Sequence, residues 1–231
     1  EDTSKLEYAK MLTASLTYLM LKQQDAVGLT LFDNQIRNNV PPRSKTSHIN
    51  IILSELENIS QGAKTKIAPI LHKIAEATQK RGLIILISDL FDSQEDVLSS
   101  LQHFRYKGHE VIVFHIMDPQ EMKLDFSQRT RFRDMESGEE IITDPWHIQK
   151  DYQRDMEQFC DNYKIQCRQN NIDYVDLKEK VFEHSLSNIK NINTLKKAIK
   201  RRYKKSLAHL SDTEKLSLGV AITELKIIKR F

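Results

Sequence analysis

The chain has 231 residues, of which 39% are hydrophobic and 29% are charged, as is typical of a soluble globular protein. A chain of this length can form one domain of ordinary size with an extension. It contains no run of about 18 apolar residues, which excludes a membrane-spanning helix. It begins with Glu1 rather than Met and shows no signal-peptide pattern, so we expect a cytoplasmic protein that is an N-terminally truncated or processed form.

Positive charge is concentrated near the C-terminus. Residues 178–231 contain 14 Lys/Arg and 5 Asp/Glu, a net charge of +9, whereas residues 1–177 have a net charge of −6. We therefore predict a domain over residues 1–177 and a basic helical extension over residues 178–231. Cys160 and Cys167 are two turns apart on a predicted helix and cannot form a disulfide there, which agrees with a reduced compartment.

The apolar pattern predicts helices and strands that alternate along the first 177 residues. The run from Leu83 to Ile87 has no polar face, so it predicts a strand buried on both sides, as in parallel sheets. Strands that alternate with helices predict an α/β fold with a mostly parallel sheet and helices on both faces. In chain order we predict a helix over 4–24, a strand over 27–32, an edge strand over 35–40 ended by Pro41 and Pro42, a helix over 47–57, a helix ending at Arg81, a strand over 83–88, a helix over 94–106, a strand over 111–116, a loop from Asp118, a hairpin over 130–143, a helix over 145–170, a strand over 172–175, and helical segments over 195–210 and 211–228.

Polar residues follow the central strand at the end where open α/β sheets bind ligands. Ser88 and Asp89 come directly after the apolar run, and Thr65 precedes the helix that leads into this strand. A hydroxyl and a carboxylate on neighbouring loops suit a hard cation such as Mg²⁺. In the structural alternative Asp89 only caps a loop and Thr65 only caps a helix, and the spacing alone favours that alternative.

Motifs for covalent or nucleotide chemistry are absent from the sequence. There is no Gly-x-Ser-x-Gly elbow, Walker A loop or Gly-x-Gly-x-x-Gly fingerprint. An enzyme that used Asp89 as a metal-bound group would also need a base and a nucleophile, and the sequence nominates neither. We therefore predict that the protein is not an enzyme. Five histidines are interpreted as surface or packing residues: His72, His103, His109, His115 and His147.

A basic run over residues 196–205 is a candidate for contacts with the phosphates of nucleic acid or with an anionic membrane surface. Few aromatic residues are interleaved with these charges, and no module motif is present. We favour a solvated helix or tail, and nucleic-acid or anionic-surface binding is the alternative function.

Several segments between residues 4 and 145 have the order and residues of a known family. Residues 4–177 resemble the C-terminal, von Willebrand factor A-like part of the bacterial domain of unknown function numbered fifty-eight, which is typically encoded beside MoxR-type AAA+ ATPases. The segments that carry this resemblance are Ser4-Lys-Leu-Glu-Tyr-Ala-Lys10, Gln24-Asp-Ala-Val-Gly-Leu-Thr-Leu-Phe-Asp33, Val40-Pro-Pro-Arg43, Leu86-Ile-Ser-Asp-Leu90, Gly108-His-Glu-Val-Ile-Val-Phe-His115, Arg131-Phe-Arg-Asp-Met-Glu-Ser-Gly-Glu139 and Thr143-Asp-Pro145.

The resemblance implies a Rossmann-like three-layer sandwich with a metal-ion-dependent adhesion site. Such a site uses an Asp-x-Ser-x-Ser motif after the first strand, a Thr from a second loop and an Asp from a third loop. Thr65 and Asp89 match the second and third loops, with Ser88 adjacent, but no Asp-x-Ser-x-Ser motif precedes Ser4, and Lys66 stands where many such domains have Asp. We therefore expect a partial site that binds Mg²⁺ or another divalent cation weakly or not at all.

The first strand of this topology is also absent from the sequence before Ser4, and it would lie centrally between the strands at 27–32 and 83–88. Either these two strands pair directly, or another segment supplies the missing strand. The functional expectation is a non-enzymatic protein-interaction domain that works with a MoxR-type ATPase and other proteins.

Overall fold

The structure is a computed structural model that describes residues 4–59, 66–126, 129–133, 140–178 and 220–224. It confirms an α/β fold in which helices and strands alternate along most of the chain. The described elements are α1 (Lys5–Lys22), β1 (Val27–Phe32), β2 (Ile36–Arg43), α2 (His48–Glu57), α3 (Ile67–Ala77), β3 (Leu83–Ser88), α4 (Gln94–Tyr106), β4 (Glu110–Met117), α5 (Pro119–Lys123), β5 (Thr130–Arg133), β6 (Glu140–Thr143), α6 (Pro145–Gln169), β7 (Asp173–Lys178) and β8 (Val220–Glu224).

A six-stranded sheet organises the described residues, with the strand order β2-β1-β8-β3-β4-β7. The pairs β1–β8, β8–β3, β3–β4 and β4–β7 are parallel, and the edge strand β2 is antiparallel to β1. The strands β5 and β6 form a separate antiparallel hairpin, as predicted for residues 130–143. The carboxyl ends of β3 and β4 therefore lie at the same edge of the sheet, which places the loops that follow them side by side.

Strand β3 is buried on both faces, as its unbroken apolar run predicts. Leu83, Ile85 and Ile87 pack against α1 on one face, in a cluster that includes Ala9 and Leu16. On the other face Ile84 and Leu86 belong to a core shared with α3, α4 and α6. Since successive side chains in a strand point to opposite faces, one strand connects the two helical layers. Among the described residues, no helix is long and apolar enough to cross a membrane.

At the centre of the sheet another segment supplies the strand that is absent before Ser4, which is the second of the two alternatives. Strand β8 lies between β1 and β3, and its Ile222 pairs with Thr30 on one side and with Leu86 on the other. The prediction of a helix over residues 211–228 is therefore wrong at residues 220–224. The physical reason is that β1 and β3 would otherwise have unpaired N–H and C=O groups facing each other, and a parallel strand satisfies both sets. The division of the chain at residues 177 and 178 stays a prediction.

Other elements also differ from the predictions. Strand β2 continues through Pro41 and Pro42 to Arg43, because proline is tolerated on an edge strand, where an N–H can face solvent. Helix α3 ends at Ala77 rather than Arg81. A short helix, α5, occupies the loop predicted after Asp118.

Candidate functional site

Hydrogen bonds from within the loop and from distant elements hold the segment that follows β3. The Leu90 N–H donates to Ser88 Oγ at 2.9 Å, so the Ser88 hydroxyl stabilises the turn that carries Asp89. His115 Nε2 lies 2.9 Å from the Asp89 carbonyl oxygen, and Tyr163 Oη donates to the Leu90 carbonyl at 3.2 Å. Two of these contacts come from distant parts of the chain, β4 and α6, so tertiary packing fixes the loop.

Leu90 adopts the left-handed region with φ of 55°, which is uncommon for a residue other than glycine. Such a conformation costs on the order of 1–3 kcal/mol and persists only where the surrounding structure determines it. The Leu90 side chain is fully buried in the core formed with α3, α4 and α6. This burial, together with the hydrogen bonds of the loop, keeps Asp89 at the carboxyl edge of the sheet.

A lysine from the first turn of α1 joins two carboxylates at this edge. Lys5 Nζ donates to Asp89 Oδ2 at 2.9 Å and to Glu121 Oε1 and Oε2 at 2.7 and 3.0 Å. Glu121 is oriented by the capping box of α5, in which its Oε2 accepts the Asp118 N–H at 3.2 Å. The ammonium group also lies 5.5 Å from the centre of the Phe91 ring. The cluster therefore connects α1, the loop after β3 and α5.

The charges in this cluster are largely shielded from solvent. The side chains of Lys5, Asp89 and Glu121 are 10%, 3% and 18% exposed. Burial disfavours the charged ammonium, but the attraction of Asp89 and Glu121 outweighs it and raises the pKa of Lys5. Burial also raises the pKa of Glu121, against the attraction of Lys5. One ammonium facing two carboxylates leaves an excess of negative charge in the cluster when both carboxylates are ionised.

The predicted metal ligands are only partly within the described residues. Asp89 lies at the predicted edge, with Ser88 adjacent, whereas Thr65 lies outside the described residues. Nearby, the Ile67 N–H at the start of α3 donates to Asp92 Oδ2 at 2.8 Å. That contact places the start of α3 beside the loop that carries Asp89.

The described side chains at this edge do not fit a divalent cation. Asp89 Oδ2 is bonded to the Lys5 ammonium, and Asp89 Oδ1 is buried with no hydrogen-bond partner in the described part of the chain. No group of three or more His, Cys, Asp or Glu residues in that part could hold a metal ion. Magnesium needs about six oxygen ligands at about 2.0–2.1 Å, and here an ammonium lies where the cation would contact Asp89. The metal-binding role of Thr65 stays a prediction.

The buried His115 side chain forms hydrogen bonds to the Asp89 carbonyl and to Tyr174 and does not face solvent. The Asp89 carbonyl can only accept, so His115 Nε2 is protonated, and Nδ1 of the neutral ring then accepts from the Tyr174 hydroxyl. Burial lowers the pKa of His115 to about 4, despite the opposing hydrogen bond to Asp89. The imidazole is therefore neutral at pH 7 and positions the Asp89 loop.

Substitution of His115 with Gln tests this protonation state. The pKa is lowered in the folded state, so the unfolded state binds more protons between about pH 4 and pH 6.5, and stability falls as the pH drops through that window. Between pH 7 and pH 4, we expect the free energy of unfolding of the wild-type chain to fall by up to about 3 kcal/mol more than that of His115→Gln. Urea unfolding at several pH values measures the difference. His147→Gln, at an exposed residue, is the control, and a pH-independent difference for His115→Gln would contradict the assignment.

The other four histidines of the predicted set have positions that agree with packing or surface roles. His109 is buried beside Phe104, and His147 is exposed on α6. His72 and His103 face each other across α3 and α4 with their Nδ1 atoms 3.1 Å apart. The basic run at residues 196–205 lies outside the described residues.

Sequence reasoning missed Lys5 and Glu121. Lys5 is the first residue of α1, and a lysine at a helix start is ordinarily solvated, so its sequence position has no special signal. Glu121 does have a signal in the sequence. Asp118-Pro119-Gln120-Glu121 is the Asp-x-x-Glu pattern of a capping box, with proline at the first helical position. That pattern predicts α5, although it does not predict the contact with Lys5.

Comparison with known proteins identifies the family of the chain. A family model described as a protein of unknown function, DUF58, matches residues 1–159. The chain belongs to the DUF58 family. No curated protein matches it.

Two solved structures are similar to this DUF58 chain. The first is an aerotolerance-related membrane protein from Bacteroides fragilis NCTC 9343 with multiple mutations to serines. It is 18% identical, with a TM-score of 0.50 over 74% of this chain and 80% of that chain. The second is the conserved hypothetical protein BatB from Bacteroides thetaiotaomicron. It is 17% identical, with a TM-score of 0.46 over 80% of this chain and 88% of that chain. The first likeness shows a shared fold.

Proposed function

We propose that the chain is a von Willebrand factor A-like, non-enzymatic protein-interaction domain that works with a MoxR-type AAA+ ATPase. Its binding face is the carboxyl edge of the sheet together with the start of α6. We further propose that a divalent cation binds weakly or not at all at Asp89. Membership of the DUF58 family and the residues that resemble its A-like part support this proposal.

The observation that carries the proposal is an exposed tryptophan at the start of α6. Trp146 is 55% exposed and is the only tryptophan of the chain. Ile142 of β6 and Ile148 of α6 are close to it in sequence and are 54% and 43% exposed. Tryptophan is enriched among the residues that dominate binding energy in protein interfaces, so its exposure here supports an interaction surface.

The start of α6 lies next to the charged cluster of Lys5, Asp89 and Glu121, which we call the Lys5 cluster. Gln149 and Gln153 of α6 both donate through Nε2 to the Lys123 carbonyl at the end of α5, at 3.1 and 2.6 Å. Glu121 of the same short helix contacts Lys5. The start of α6 and the largely buried charged cluster therefore both contact the same short helix, α5.

The polar groups of this edge support a binding role. Ser88 Oγ accepts the Leu90 N–H, and both ring nitrogens of His115 are hydrogen-bonded. A catalytic base or nucleophile needs a polar atom that can reach a substrate. Binding, in contrast, needs only a preorganised surface, and the fixed loop after β3 provides one.

Binding of a MoxR-type ATPase from the same organism tests the proposal. We expect the purified full chain to bind it, and Trp146→Ala to weaken binding at least about 10-fold, because a central tryptophan contributes about 2 kcal/mol or more to an interface. Biolayer interferometry measures the dissociation constants. Tyr106→Ala is the matched control, since Tyr106 is 86% exposed at the opposite edge of the sheet. Equal affinity of wild type and Trp146→Ala, or absence of binding, would overturn the proposal.

A further inference from the structure

The Lys5 cluster has the connections of a metal-bridged site without a metal ion. One cationic atom, Lys5 Nζ, contacts carboxylate oxygens from two separate loops at 2.7 to 3.0 Å. Of the four carboxylate oxygens of Asp89 and Glu121, only Asp89 Oδ1 lacks a hydrogen-bond partner among the described residues. That oxygen belongs to a side chain that is 3% exposed. The other three carboxylate oxygens face the one ammonium, as they would face a bridging metal ion.

We propose that the Lys5 ammonium is the permanent cation of this edge, so that the binding face is assembled without a divalent metal. This inference rests on the proposed function for the role of the face, but its chemistry depends only on Lys5, Asp89 and Glu121. It predicts that partner binding is unaffected by chelators or by added magnesium.

The position of Lys5 explains why a metal ion does not displace it. Lys5 begins α1, and α1 is anchored on the sheet through Ala9 and Leu16. The ammonium is therefore held at the carboxylates at a high effective concentration. A divalent cation that took its place would leave a buried ammonium without a partner, which is strongly unfavourable.

Removal of the ammonium should turn the site into one that responds to metal. In Lys5→Ala, the carboxylates of Asp89 and Glu121 lose their counter-charge, and a hard divalent cation can satisfy both. We expect the melting temperature of Lys5→Ala to rise by about 5 °C with excess Mn²⁺ relative to EDTA, because a ligand that binds only the folded state stabilises it. The wild-type chain should show no shift. Differential scanning fluorimetry and isothermal titration of the full chain with MnCl₂ measure these effects.

Two further variants keep the result interpretable. Lys5→Ala/Asp89→Asn lacks a ligand and should not respond to Mn²⁺, whereas Lys5→Arg keeps a cation and should behave as wild type. If Lys5→Ala does not fold in EDTA, recovery of its folded circular dichroism spectrum on addition of Mn²⁺ is the same expected result. Asp89-dependent binding of Mn²⁺ to the wild-type chain would overturn the inference, and so would a Lys5→Ala variant that gains no response to metal. If the variants respond to Mn²⁺ as expected but the wild-type chain does not bind the ATPase, only the proposed function is overturned.

Discussion

Replacement of Ile222 with proline is expected to unfold the sheet. Ile222 lies in β8, between Thr30 of β1 and Leu86 of β3, and proline has no N–H to donate to either ladder. An acceptor left buried without its partner costs about 1–3 kcal/mol, a large share of the 5–15 kcal/mol that stabilises a typical domain. Thermal unfolding followed by circular dichroism measures the loss of stability.

Two variants show whether β8 itself is responsible. Ile222→Val keeps the N–H and the β-branched shape, so we expect a small effect. A chain that ends at residue 219 should resemble Ile222→Pro, because β1 and β3 would both lose their partner along β8. If Ile222→Pro and the wild-type chain have the same melting temperature, β8 does not stabilise the sheet.

The second large effect is expected for Lys5→Met. Methionine keeps the length of the side chain but removes the charge that faces Asp89 and Glu121, which leaves two buried carboxylates close together. Because these groups are largely shielded from solvent, the loss at pH 7 should be about 3 kcal/mol. The loss of stability caused by Lys5→Met should be smaller at low pH, since a protonated carboxyl no longer needs a counter-charge. Urea unfolding at two pH values measures both effects.

The same helix provides a matched control. Lys10 pairs with Glu7 at 3.0 Å, but Glu7 is 56% exposed, so Lys10→Met should cost about 0.5 kcal/mol or less. Addition of Glu121→Gln to Lys5→Met should recover part of the lost stability, because one of the two uncompensated charges is removed. Equal small losses for Lys5→Met and Lys10→Met would show that the cluster is solvated like a surface pair.

Particular residues show why the sequence was informative for some parts of the site. The apolar run Leu83 to Ile87 has the period of a strand buried on both faces, and the position of Asp89 at its end follows from the direction of the chain. The partners of Asp89 could not be predicted in this way. Lys5 is distant in sequence, and its contact depends on how α1 packs on the sheet.

The α/β pattern and the edge at which Asp89 lies follow from the residues alone, because hydrophobic periodicity and turn residues act over a few neighbouring positions. Two other features depend on the tertiary structure: a segment predicted to be helical supplies the central strand β8, and an ammonium group contacts Asp89, the predicted ligand of a partial metal site. Both arise from unsatisfied groups brought together by folding. Unpaired backbone on β1 and β3 is satisfied by a parallel strand, and buried carboxylates are stabilised by a cation.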